Sequence, residues 1–180
     1  MRISLKAMGL LVLIVESLTA QATIAQEPTN NATVKPLMTL YGQHSKITKP
    51  KKVRITSDRE WKALWSEHQL DQSRTRAELD FSRVMVIAIF QGDGMLYGGY
   101  DVERIIEGKD RLTVRVRPLY FQVSVSASVD VMSSKAWGIF VLPLSDKQIV
   151  IEGDERKLID SPYRWVKWTM FPAIPSRDRR

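Results

Sequence analysis

Apolar and polar positions alternate with a period of two in several stretches of this chain. "RLTVRVR" sets Leu112, Val114 and Val116 on one side and Thr113, Arg115 and Arg117 on the other. "YFQVSVSASVDV" sets Phe121, Val123, Val125, Ala127, Val129 and Val131 against Gln122, Ser124, Ser126, Ser128 and Asp130. Period two is the strand repeat, because successive side chains leave a pleated backbone on opposite faces. "VMVIAIF", Val84 to Phe90, is apolar throughout. That predicts a central strand covered on both sides. "WGIFVLP" and "QIVIEG" predict two more strands across the polar turn "LSDK", and "LMTLYGQHS" and "VRI" two short ones earlier. "SPYRWVKWTMFPAIP" is aromatic and strand-like between prolines.

One stretch follows a different period. In "TSDREWKALWSEHQL", Ser57 precedes Glu60 by three residues, which is a capping box. Trp61, Leu64, Trp65 and His68 then fall at i, i+3, i+4 and i+7, one face of a helix. Trp61, Leu64 and Trp65 are read as structural, packing the helix on a sheet. His68 closes the stripe as a satisfied histidine at the core edge, since no partner stands at ligand spacing. Asp80 and Phe81, just before the apolar strand, are also structural, with Asp80 bonding the loop backbone.

The pattern gives one helix and about seven strands with short links. The expected fold is therefore α+β: a mainly antiparallel sheet of six to seven strands with one well-capped amphipathic helix packed on it.

"FQGDGMLYGGYDVE" carries Gly92, Gly94, Gly98 and Gly99 directly after the apolar strand. A dinucleotide loop would lead into a helix, whose N-terminus holds the phosphates. Here the glycines lead into "GYDVERII". Tyr100, Val102, Arg104 and Ile106 lie on one side, and Asp101, Glu103 and Ile105 on the other. That is strand patterning. Tyr97 stands where the third glycine would be, and GK[ST] is absent. The stretch reads as a turn between adjacent antiparallel strands, with no nucleotide and no other cofactor.

The start of the chain changes the setting. Arg2 and Lys6 precede an apolar run from Ala7 to Val15, and Ala20-Gln21-Ala22 and Ala25 follow. That is the layout of a secretory signal, with a run too short to span a bilayer. Residues 1–25 are read as a cleaved signal, 26–36 as a flexible linker, 37–160 as one domain and 161–180 as an aromatic, then basic, extension. The expected location is exported: periplasmic, cell-surface or secreted, with no transmembrane span after cleavage. Cysteine is absent. Disulfides, thiol nucleophiles, thiolate metal ligands and lipid attachment are excluded with it. The formal net charge of +7 becomes +6 once Arg2, Lys6 and Glu16 leave with the signal. The excess sits in "KITKPKKVR" and "RDRR". These runs lack interleaved aromatic residues for stacking bases, which argues against nucleic acid and for a solvated linker and tail.

Taken in order, "ITSDREWKALWSEHQ", "LDFSRVMVIAIFQG", "GGYDVERI", "LTVRVR" and "WGIFVLPLSDKQIVIE" resemble the C-terminal domain of the protease complex subunit PrcB family, over about residues 54–152. The most specific parts are Glu60, Trp61, Leu64 and Trp65, then Asp80-Phe81-Ser82, then Gly98-Gly99-Tyr100. The chain departs at Ala136-Trp137, where the family carries Pro-Tyr, and in lacking a cysteine for lipid. The resemblance implies an exported, non-enzymatic module that binds a partner, with a protease or another envelope protein as that partner.

The residues themselves leave three readings. A binding module would use the loop Met95, Leu96, Tyr97, Gly98, Gly99 and Tyr100, and the tail residues Trp165, Trp168 and Phe171, because loops on a rigid sheet carry binding. An envelope hydrolase would need a carboxylate pair from Asp80, Asp93, Asp101 and Glu103. A basic anionic-surface binder would use the linker and tail. The serine row offers no nucleophile elbow and no adjacent base, and no catalytic or metal-ligating set can be assembled.

Overall fold

The computed structural model describes residues 33–69, 76–95, 97–120, 133–156 and 161–175. The signal segment, Leu96, the serine row and the closing "RDRR" lie outside the described residues. Among the described residues the chain is mostly β with one helix. In order these are β1 (Thr33–Val34), β2 (Met38–Gly42), β3 (Lys51–Ile55), α1 (Asp58–His68), β4 (Val84–Phe90), β5 (Gly94–Met95), β6 (Tyr97–Glu107), β7 (Arg111–Tyr120), β8 (Ser133–Ser134), β9 (Trp137–Pro143), β10 (Gln148–Asp154) and β11 (Trp165–Phe171).

The strands form two main sheets, not the single sheet that the short links suggest. One runs β1-β6-β7-β10-β11 and the other β2-β9-β4-β3, while β5 and β8 form a small ribbon. Period two says which face a residue takes but not which sheet its strand joins, so one sheet and two read alike in sequence. The pairing is antiparallel except between β7 and β10, which run parallel.

The apolar runs explain the layering. Met85, Ile87 and Ile89 of β4 pack with Phe140 and Leu142 of β9 against Val114, Val116, Ile149 and Ile151 of the larger sheet. Val86, Ala88 and Phe90 face the other way, with Ile139 and Val141, onto Trp61 and Leu64 of α1. The smaller sheet is thus a middle layer, and its strands β4 and β9 are buried on both faces, as a continuous apolar run requires.

The helix starts as its sequence dictates. Ser57 Oγ accepts the Glu60 N–H at 3.3 Å, and Glu60 Oε2 accepts the Ser57 hydroxyl at 2.8 Å and the Thr56 N–H at 3.1 Å. Trp61 is fully buried, and its Nε1 donates to the Ala77 carbonyl at 2.9 Å. Leu64 is buried and Trp65 half-buried. His68 is enclosed by Phe90 and Trp137, with Nδ1 3.0 Å from Ser45 Oγ. Asp80 Oδ1 accepts from the Ser82 N–H at 3.0 Å and the Ser82 hydroxyl at 2.6 Å, which depresses its pKa. Phe81 packs under the helix beside Val84.

The glycine turn also differs from expectation. β4 and β6 lie in different sheets, so the turn carries the chain across the sandwich and does not join adjacent strands. Gly92 has φ 78° and Gly99 φ 146°, conformations that other residues enter only at a cost. A side chain on Gly99 would start 2.9 Å from Tyr41 Cβ, so its absence lets β6 cross close over β2. The β6 ladder then slips between Val102 and Arg104. That slip reverses the alternation, so Tyr100 and Ile105 both face the core although an unbroken strand would separate them.

Two boundaries move as well. Val34, in the stretch read as linker, pairs with Ile105, and β11, in the stretch read as extension, is an outer strand of the larger sheet. The basic run also enters the fold as β3. There Lys51 pairs with Glu67 at 2.5 Å, and the Arg54 guanidinium donates to the carbonyls of Ser145, Lys147 and Pro172.

Candidate functional site

Four strand ends meet at one end of the larger sheet. β6 begins there with Tyr97, β7 ends there with Tyr120, β10 ends with Asp154 and β11 begins with Trp165. The parallel pairing of β7 and β10 is what makes their ends coincide. Tyr97 and Tyr120 stand edge to face with ring centroids 5.3 Å apart, and Tyr97 meets Tyr100 at 6.0 Å. Tyr100 in turn meets Trp168 at 5.8 Å, again edge to face. The fold therefore joins the candidate loop to the candidate tail through a Tyr100–Trp168 contact. Trp168 lies flat over Gly153, where a side chain would have no room. Its Nε1 donates to Glu155 Oε1 at 3.1 Å.

The outward face of the same end is aromatic and cationic. Tyr163 and Trp165 stack at 5.1 Å. Arg156 lies 4.3 Å over the Tyr163 ring and Arg115 lies 5.3 Å over the Trp165 ring. Arg115 also holds Glu152 at 2.9 Å. Arg117 reaches Asp101 at 3.2 Å and Glu103 at 3.4 Å. Burial opposes the Arg117 charge, but the Asp101 and Tyr163 hydrogen bonds and the Glu103 charge outweigh it and raise its pKa.

Asp154 anchors this surface from beneath. Its side chain is fully buried, and Oδ1 accepts the Arg156 N–H at 3.0 Å and the Arg164 N–H at 3.1 Å. Oδ2 sits 2.7 Å from Arg156 Nε, but the geometry is not that of a directed hydrogen bond, so charge alone carries that contact. Burial raises the pKa of Tyr100, and Tyr97 and Tyr120 add to it. Tyr120 is raised by burial, then by Tyr97 and Asp154, with Arg156 opposing.

The remaining candidates fall elsewhere. Phe171 packs at the far end of β11, opposite Ile149. Gly98 is half-buried and Gly99 buried; the Met95 backbone pairs with Ser133, while Leu96 lies outside the described residues. Of the four carboxylates considered for hydrolysis, Asp101 and Glu103 share Arg117, Asp93 pairs with Lys135 at 3.4 Å and Asp80 turns onto Ser82. Among the described residues no group of three or more His, Cys, Asp or Glu side chains could hold a metal ion. No helix among them is long and apolar enough to cross a membrane.

Sequence reasoning picked out Tyr97, Tyr100, Trp165 and Trp168 at this surface but missed Tyr120, Asp154, Arg156, Arg115 and Arg117. The outward row of "RLTVRVR" was the one local sign of Arg115 and Arg117. Nothing near Asp154 in sequence marks it as buried. Comparison with family models, curated proteins and solved structures finds no match for this chain.

Proposed function

We propose that this chain is an exported, non-enzymatic protein-binding module whose partner is a protease or another protein of the cell envelope. One observation carries the binding reading: tyrosine, tryptophan and arginine gather on one rigid surface where four strand ends meet. Tyr120 and Tyr163 remain 40% and 39% exposed there. Those three residue types dominate the energetic centres of protein interfaces. They offer large contact area with few rotatable bonds, and a sheet-borne platform loses little entropy on docking. The carboxylates nearby are neutralised by arginines, which suits a recognition surface better than acid–base chemistry. Export rests on the N-terminal pattern, and the protease on the family resemblance.

The test is capture from the envelope fraction by the exported chain, with identification of what is retained. Wild type should retain a defined envelope protein, and a purified sample of that protein should bind it directly. A double Tyr120→Ala, Tyr163→Ala variant should fold and lose that binding. Equal binding by the variant would remove this surface from the interaction.

A further inference from the structure

Four strands bound the two main sheets: β1 and β11 on one, β2 and β3 on the other. A free strand edge presents unpaired N–H and C=O groups and invites another strand, so folds blunt such edges with charge, irregularity or cover. Three of the four are blunted. β1 is two residues long and runs into Lys35-Pro36. β3 carries Lys51, Lys52 and Arg54, and β11 carries Lys167 and an irregular register. β3 and β11 also screen one another, since Lys52 lies 5.3 Å over the Trp168 ring and Arg54 donates to the Pro172 carbonyl at 3.0 Å.

Among the described residues β2 is blunted by neither charge nor irregularity, and β6 crosses only close to its Tyr41–Gly42 end. "MTLYG" holds no charge and no proline, and its register against β9 is unbroken from Met38 to Gly42. Its apolar side chains stand in solvent: Leu37 just before it is 63% exposed, Met38 37% and Tyr41 55%.

We propose that β2 is a dimer edge, taking β2 of a second copy of this chain in antiparallel register about Thr39. The sequence fits that occupant. Two-fold pairing about Thr39 sets Leu37 opposite Tyr41 of the second copy, Met38 opposite Leu40 and Lys35 opposite Gln43. Aliphatic side chains face each other or an aromatic ring, and no like charges meet. The same operation on β3, about Val53, would set Lys52 against Arg54. The contact is isologous, so it closes at two copies and does not propagate. It joins two four-stranded sheets into one of eight. A five-residue ladder buries less than the ~800 Å² per partner of a standard stable complex, so association depends on concentration.

Sedimentation velocity of the exported chain over a concentration series tests this. The weight-average mass should climb from one copy toward two. Thr39→Lys puts two cations at the dyad and should weaken the dimer at least tenfold, and Thr39→Glu should do the same with anions. An equimolar mixture of the two should dimerise again, because opposite charges now meet. Leu37→Lys, at an exposed site outside the strand, should also weaken the dimer while leaving the melting temperature unchanged. That variant keeps the test sound should Thr39→Lys disturb folding. A wild-type chain that sediments as one copy throughout would overturn the proposal, even if Thr39→Lys weakened capture of an envelope protein. So would a dimer that Leu37→Lys and the Thr39 variants leave intact.

Discussion

Removing the Asp154 carboxylate should unfasten the aromatic surface. Asp154 takes amide protons from Arg156 and Arg164, which lie on either side of the β10–β11 connection, and holds the Arg156 guanidinium at 2.7 Å. Each hydrogen bond to a charged group contributes about 1.5–3 kcal/mol. Asp154→Ala gives up two of them and the ion pair with Arg156. Breaking a buried pair by removing one partner costs about 3–5 kcal/mol. Arg156 retains 14% side-chain exposure and can turn toward water, which places the expected loss near the lower bound, about 3 kcal/mol. Asp154→Asn keeps an oxygen for the two amides and gives up only the charge contact, so about 1–2 kcal/mol is expected. Urea unfolding at neutral pH, followed by tryptophan fluorescence, should resolve the three proteins by midpoint at constant slope. A double-mutant cycle with Arg156→Ala should return a coupling of about 1–3 kcal/mol. An Asp154→Ala loss under about 1 kcal/mol, or a coupling near zero, would refute the anchoring argument. Partner binding should weaken in step with the loss, because Tyr163 and Trp165 flank Arg164, whose amide Asp154 holds.

Trp61→Ala should cost about 3–5 kcal/mol by thermal or urea unfolding, whereas half-buried Trp65→Ala should cost clearly less; the reverse order would mean that the wrong face of α1 is packed inward. Gly92→Ala should destabilise by about 2 kcal/mol or more, since φ is 78° and the new Cβ would meet the Lys49 and Thr48 backbone at 2.7 Å. ATP should leave the melting temperature of wild type unchanged, and a clear rise would reinstate the nucleotide reading of this turn. The fold holds Tyr100 neutral, raising its pKa above the unfolded value near 10. That contribution is complete below pH 10 and is lost as pH climbs beyond it. Urea midpoints measured from pH 7 to 11 should therefore fall less steeply above pH 10 for Tyr100→Phe than for wild type, and parallel curves would contradict the assignment.

Local physics wrote the elements of this fold legibly. The Ser57/Glu60 box, the Trp61–Leu64 stripe, the two-sided apolar run of β4 and the Asp80 turn all depend on residues within a few positions of one another. Sheet membership does not. β4 and β6 are joined by a short glycine turn, as neighbours in one sheet would be, and only Gly99 over Tyr41 reveals that the chain has crossed the sandwich. The slip between Val102 and Arg104 was equally silent, since a single extra residue reverses the faces without any change in composition.

The candidate surface stands at the boundary between those two cases. Its aromatic members were visible because tyrosine and tryptophan are conspicuous anywhere in a strand. What makes them a surface is the parallel placement of β10 on β7, a pairing between segments more than thirty residues apart. Parallel pairing puts Tyr120 and Asp154 at the same end of the sheet, and antiparallel pairing would have put them at opposite ends. Arg115 would then not lie over Trp165, and Tyr120 would stand away from Asp154 and the connection that carries Tyr163. A buried carboxylate is costly unless hydrogen bonds and charge meet it. Here both come from the short connection that follows it, so the burial of Asp154 and the shape of the aromatic surface are one structural event. Recognition by this surface and stability of the β10–β11 connection should accordingly rise and fall together across substitutions at Asp154 and Arg156.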